Sequence, residues 1–103
     1  MYARLTTFRV KPDKFEDMRR WREANEARIY AQPNLREWIG MMDDKGEFFV
    51  VALFDDEKKA KDAMPHVRTL WSDIAPMIEG EPTLRFLEVV GAKNAALSGV
   101  VAT

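Results

Sequence analysis

Cysteine is absent from this chain of 103 residues, which excludes disulfides, thiolate metal sites, iron–sulfur clusters and a cysteine nucleophile. Histidine is scarce: His66 stands alone, and without a second histidine or a convergent carboxylate pair a metal site is poorly supported. Long apolar runs are missing as well. The longest, Phe48 to Phe54, falls far short of the roughly 20 residues that cross a bilayer, and MYARLTTFRV is interrupted by Arg4 and Arg9, so it lacks a signal peptide's apolar centre. Nor is there a surplus of one charge. Sixteen Lys and Arg against seventeen Asp and Glu leave a net charge of −1, which gives nucleic acid or an anionic membrane nothing to attract. These absences predict one cytoplasmic domain with no metal, no cofactor, and neither nucleic acid nor membrane as a partner.

What is present is a succession of strands and helices. YARLTTFRV, rich in β-branched and aromatic residues and ending at Lys11-Pro12-Asp13, predicts a first strand running into a helix. From Pro12 to Tyr30 the apolar Phe15, Met18, Trp21 and Ile29 share one side at roughly 100° per residue, so one amphipathic helix is predicted, stopping near Pro33. LREWIGMM (35–42), DDKG and EFFVVALF (47–54) predict a hairpin closed by Gly46 at positive φ. Ala60, Ala63, Met64, Val67, Leu70, Trp71, Ile74 and Ile78 keep the spacing of a second buried helix face. Pro65 inside it predicts a kink, or a break with the proline in a new first turn. EGEPT is expected to stop that helix, and LRFLEVV (84–90) to form the last strand.

The order β-α-β-β-α-β predicts an α+β, ferredoxin-like fold with both helices on one face of a four-stranded antiparallel sheet. The third strand then poses a problem. It is apolar on both sides, with Phe48, Val50, Ala52 and Phe54 facing one way and Phe49, Val51 and Leu53 the other. Leaving one set in water forgoes about 1.5–3 kcal/mol per side chain, which rivals the roughly 5–15 kcal/mol stability of a whole domain. A second copy packed sheet to sheet about a two-fold axis solves this, and an obligate homodimer is predicted.

YARLTTFRVKPDKFEDMRRW, with its Lys-Pro-x-Lys helix start, QPNLREWIGMMDDKGEFFVVALFDDEKKA, with Gln-Pro before the second strand and an acidic step after the third, and PTLRFLEVV together resemble the antibiotic-biosynthesis-monooxygenase-like domains of the dimeric α+β barrel superfamily. The resemblance covers residues 1–91 and leaves 92–103 as a tail. It implies two sheets forming a barrel across a dimer, with a small-molecule cavity between sheet and helices in each subunit. Such domains include cofactor-free oxygenases of polycyclic aromatic substrates, haem-degrading enzymes, lactone isomerases and proteins without known activity. Where members commonly carry Trp-x-Ser/Asp-x-Glu at the end of the third strand, this chain has Phe54-Asp55-Asp56-Glu57. The Asn, Trp and His of the haem-degrading members fall near Thr6 or Thr7, Ala63 and Asp73, so haem binding is not expected.

Six residues are candidates for a site. His66 is either a proton carrier or a structural histidine at the border of the buried stripe. Arg22 and Asn25 interrupt the apolar face of the first helix. Either Arg22 pairs with Glu26 and Asn25 bonds to backbone, or both line the cavity and orient a polar group of an aromatic ligand. Trp38 and Trp71 would stack on a planar ligand or serve as core. Arg85, between Leu84 and Phe86, would reach the cavity or the sheet edge.

Three functions fit these residues. In a cofactor-independent monooxygenase of an aromatic or quinone-like substrate, the substrate's own carbanion meets dioxygen, Arg22 or Arg85 stabilises the anion and His66 takes the proton. The alternatives are a non-catalytic ligand-binding or sensing dimer, and an acid–base isomerase. A base converging with an arginine in one cavity is the feature that separates catalysis from binding.

Overall fold

The computed structural model describes residues 1–93, so most of the tail lies outside the described residues. Four strands, β1 (Tyr2–Val10), β2 (Glu37–Met42), β3 (Glu47–Phe54) and β4 (Ile78–Glu88), form one antiparallel sheet in the order β2-β3-β1-β4. This is the ferredoxin-like arrangement expected from the element order. The β2–β3 turn is held by Asp43, whose Oδ1 accepts the backbone N–H groups of Lys45 and Glu47, both at 2.9 Å. Gly46 takes φ +87° there, a conformation other residues reach only at a cost.

The helical segments depart from the sequence reading in two places. One is the end of the second predicted helix, which closes with a 3-10 turn at Ala75–Met77, while Ile78, placed above on that helix face, opens β4. The other is the first predicted helix. A 3-10 turn at Pro12–Lys14 leads into α1 (Phe15–Ala24), and a short α2 (Glu26–Tyr30) follows, where one continuous helix is predicted. The interruption sits at Asn25, whose side-chain amide donates to the Trp21 carbonyl at 2.8 Å while its own backbone N–H uses the same oxygen at 2.9 Å. A side chain that competes for backbone partners weakens a helix at that point.

The second helical region breaks as Pro65 requires. α3 (Glu57–Asp62) is capped by Asp56, which accepts from the Lys59 N–H at 2.8 Å, and α4 (Met64–Ile74) restarts with Pro65 in its first turn. The start of β4 is a correction, because EGEPT belongs to the strand and does not precede it. Gly80 at φ +68° absorbs a register shift opposite Phe8, and Pro82 is tolerated because β4 is an edge strand.

All helices pack on the face bearing Phe48, Val50, Ala52 and Phe54, which are buried. Two apolar clusters lie under them, one around Val10, Met18, Ile74 and Ile78, the other around Ala52, Phe54, Ala60 and Ala63. The opposite face carries cross-strand rows such as Ile39–Val51–Leu5–Arg85 and Met41–Phe49–Thr7–Thr83. It holds much apolar surface, with Ile39 44% and Met41 48% exposed. Among the described residues no helix is long and apolar enough to cross a membrane.

Candidate functional site

Between the two core clusters the sheet and helices enclose a cavity of about 60 Å³. β1 contributes Arg4, Thr6 and Phe8, β3 contributes Phe48 and Val50, and α1 and α4 contribute Met18, Trp21, Arg22 and Trp71. A larger groove of about 410 Å³ lies between α1 and β2, bounded by Phe15, Met41 and Met42. Met18, Arg22, Trp38 and Phe48 line both spaces and so form a shared wall.

Trp38 is fixed in that wall by a glycine. A Cβ on Gly40 would stand 2.7 Å from the indole, so the ring lies across a position that only glycine leaves open. Tyr30 meets the same ring edge-on at 5.7 Å, and Phe8 stacks on Phe48 at 4.9 Å.

Arg4 dominates the electrostatics. Its phase on β1 points it to the helix side, in one row with Trp38, Ala52 and Phe86, and it is 1% exposed. Nη2 donates to Gln32 Oε1 at 2.7 Å. The guanidinium carbon lies 5.4 Å from the Phe54 ring centre, while Nε and Nη1 have no hydrogen-bond partner. Burial lowers its pKa from the ordinary guanidinium value to about 10, so Arg4 is still charged at neutral pH, without a carboxylate beside it. Gln32, itself 5% exposed, is oriented by donating Nε2 to the Ile29 carbonyl at 2.9 Å. A pure acceptor on one side and a pure donor on the other leave its amide one orientation.

Of the six residues singled out from sequence, the structure brings Arg22, Trp38 and Trp71 to the cavity lining and leaves three outside it. The expected pairing of Arg22 with Glu26 is absent, because Glu26 accepts from the Tyr30 hydroxyl at 3.0 Å. Asn25 is bound to the Trp21 carbonyl and accepts from Arg28 at 2.7 Å. His66 bonds through Nε2 to the Arg28 carbonyl at 2.7 Å, and Asp73 on the same helix pairs with the Arg28 guanidinium at 2.8 Å. Both thus tie α4 to α2 and are not positioned at the cavity. Arg85 lies exposed on the opposite sheet face, in register with Leu5.

Sequence reasoning missed Arg4, Gln32, Thr6 and Trp21 as lining residues. The signal for Arg4 was available in its parity, since it alternates in step with Thr6, Phe8 and Val10 and so had to share their buried face. Among the described residues the lining has two arginines and no Asp, Glu, Lys, His or Tyr. No group of three or more His, Asp or Glu able to hold a metal occurs among them either. The site can therefore exclude water, stack on a flat apolar body and stabilise negative charge, but no base converges on it.

An antiparallel sheet of this order with its helices on one face defines a ferredoxin-like α+β domain. More specifically, the fold is that of the antibiotic-biosynthesis-monooxygenase-like domains, as solved structures show. A protein of unknown function from Nitrosomonas europaea superimposes with a TM-score of 0.77 at 17% identity, over 90% of this chain and 92% of that one. An antibiotic biosynthesis monooxygenase gives 0.70 at 18% identity, over 88% and 100%. The monooxygenase from the ActVA-Orf6 gene of Streptomyces coelicolor, in complex with Nanaomycin D, gives 0.70 at 17% identity over 88% of both chains. No protein-family model and no curated protein matches the sequence.

Proposed function

We propose that this protein binds a small, largely aromatic molecule between its sheet and helices and works as a homodimer through the opposite sheet face. The observation that carries the reading is the cavity lining, in which Trp21, Trp38, Phe48 and Trp71 surround two arginines without a counter-charge. Ligand sites are commonly apolar clefts with a few placed polar groups, whereas a purely structural core has no use for uncompensated charge. The dimer is supported by the exposed apolar rows on the outer face.

Binding without turnover is favoured over acid–base isomerisation, because His66 is engaged with the Arg28 carbonyl and no other base lines the cavity. A cofactor-independent monooxygenase is the second reading. It is favoured by the two arginines, which suit an ionised aromatic substrate, and by the likeness in fold to a solved monooxygenase in complex with Nanaomycin D. On this reading the substrate must arrive already ionised.

Arg22 provides the test. It has no hydrogen-bond or ion-pair partner among the described residues, so Arg22→Met is expected to change stability by less than about 1 kcal/mol, methionine keeping most of the stem's packing. In a calorimetric titration with naphthol, the variant is expected to bind at least about fivefold more weakly than wild type. Unchanged affinity would remove Arg22 from the site. A fall in stability of several kcal/mol, with no binding in wild type, would remove the ligand reading itself.

A further inference from the structure

We infer that Arg4 and Gln32 form the head-group subsite of the cavity and select a carboxylate, making the ligand an aromatic acid. The inference rests on the small-molecule reading above and adds the chemical class of what binds. A guanidinium that is 1% exposed with Nε and Nη1 unpartnered leaves a free donor on each edge of its fork, each beside one N–H of Nη2. Gln32 takes only one of the two Nη2 N–H groups, so the other edge can meet the two oxygens of a carboxylate in a parallel, bidentate arrangement. Gln32 holds the remaining nitrogen, Nη2, at 2.7 Å and is itself locked by the Ile29 carbonyl. The fork is therefore preorganised, and no internal acid competes for it.

The dimensions divide the ligand into two parts. The inner space of about 60 Å³ has room for a few heavy atoms, since one water needs roughly 10–15 Å³ on the same measure. It fits a carboxylate and the atoms joined to it. The outer groove of about 410 Å³, with Phe15, Trp38, Met42 and Phe48 around it and Glu16 and Arg19 also in its lining, fits a flat, largely apolar body. Met18 and Arg22 in the shared wall are unbranched, flexible side chains able to move apart for the junction.

The alternative occupant of the inner space is water alone, which would hydrate Arg4 and show no preference for acids. Calorimetric titration of the full chain with naphthoate and with naphthamide, its neutral isostere, separates the two. Naphthoate is expected to bind at least tenfold more tightly, the scale of a charge-assisted hydrogen-bonded pair. In Gln32→Glu, a carboxylate supplied by the protein beside Arg4 occupies the fork, and naphthoate is expected to fall to the affinity of naphthamide or below. This holds while the circular-dichroism spectrum shows the fold intact. If Gln32→Glu fails to fold, the wild-type comparison decides alone. Equal affinity of acid and amide overturns the carboxylate subsite and leaves the small-molecule reading standing. Failure of both compounds to bind up to their solubility overturns both.

Discussion

Arg4→Met is expected to give a folded protein within about 2 kcal/mol of wild type in stability, although it removes a side chain that is only 1% exposed. The expectation comes from three opposing terms. Lowering the pKa by burial to about 10 corresponds to a penalty of roughly 3 kcal/mol on the charged form. At pH 7 the group is protonated in both folded and unfolded chains, so that penalty is fully present and methionine relieves it. Against this stand the Gln32 Oε1 left without its donor, about 1–3 kcal/mol, and the contact with Phe54, about 0.5–2 kcal/mol. A buried arginine paired with a carboxylate behaves differently, since breaking such a pair costs about 3–5 kcal/mol.

The pH dependence has a definite sign. The folded pKa lies below the unfolded one, so the unfolded chain holds more protons from about pH 10 up to the ordinary guanidinium pKa. Wild-type stability therefore gains on Arg4→Met as pH rises through that window. Urea denaturation of both proteins at pH 7 measures the main effect. A loss of several kcal/mol in the variant would show that Arg4 is structural, held by partners in solution.

Val51→Lys is expected to break the homodimer. Val51 lies on β3, an internal strand, in the row Ile39–Val51–Leu5–Arg85, on the face where Leu87 is 37% exposed. A two-fold contact on that face would bury about 800 Å² per partner and place two lysines near its centre, each costing several kcal/mol to desolvate unpaired. Sedimentation at micromolar concentration is expected to show a dimer for wild type, half that mass for Val51→Lys, and a lower melting temperature for the variant. Ser72→Lys, on the exposed side of α4, serves as the control and is expected to remain dimeric. A wild-type monomer, or a Val51→Lys dimer of unchanged stability, would contradict the role given to this face.

The architecture was legible because its signals are local and repeated. The short run of aromatic and β-branched residues in EFFVVALF, the spacing from Ala60 to Ile74 and the restart at Pro65 each point to one outcome. Asn25 hid a helix break because its effect depends on one side-chain bond to Trp21. EGEPT hid a strand because Gly80 and Pro82 read as punctuation unless the strand is known to run along an edge. The site was partly legible from polar residues on an apolar helix face, a signal that found Arg22 but also drew in Asn25, which serves its own helix. Arg4 escaped notice because charge in a short strand is ordinary, and its isolation depends on which residues the folded chain brings near it. His66 drew attention by being alone, yet its partner is a backbone carbonyl, which no sequence pattern marks.

The central claim is that an uncompensated arginine at the floor of an aromatic cavity receives the acid group of a ligand. A crystal structure with bromonaphthoate tests it most directly, because anomalous scattering from bromine locates the ring independently of the carboxylate. Bromine is expected in the groove between α1 and β2, with both carboxylate oxygens within hydrogen-bond distance of one edge of the Arg4 guanidinium, Nη2 with either Nε or Nη1. A carboxylate bound to Arg22 or to a surface lysine, with only ordered water against Arg4, would contradict it.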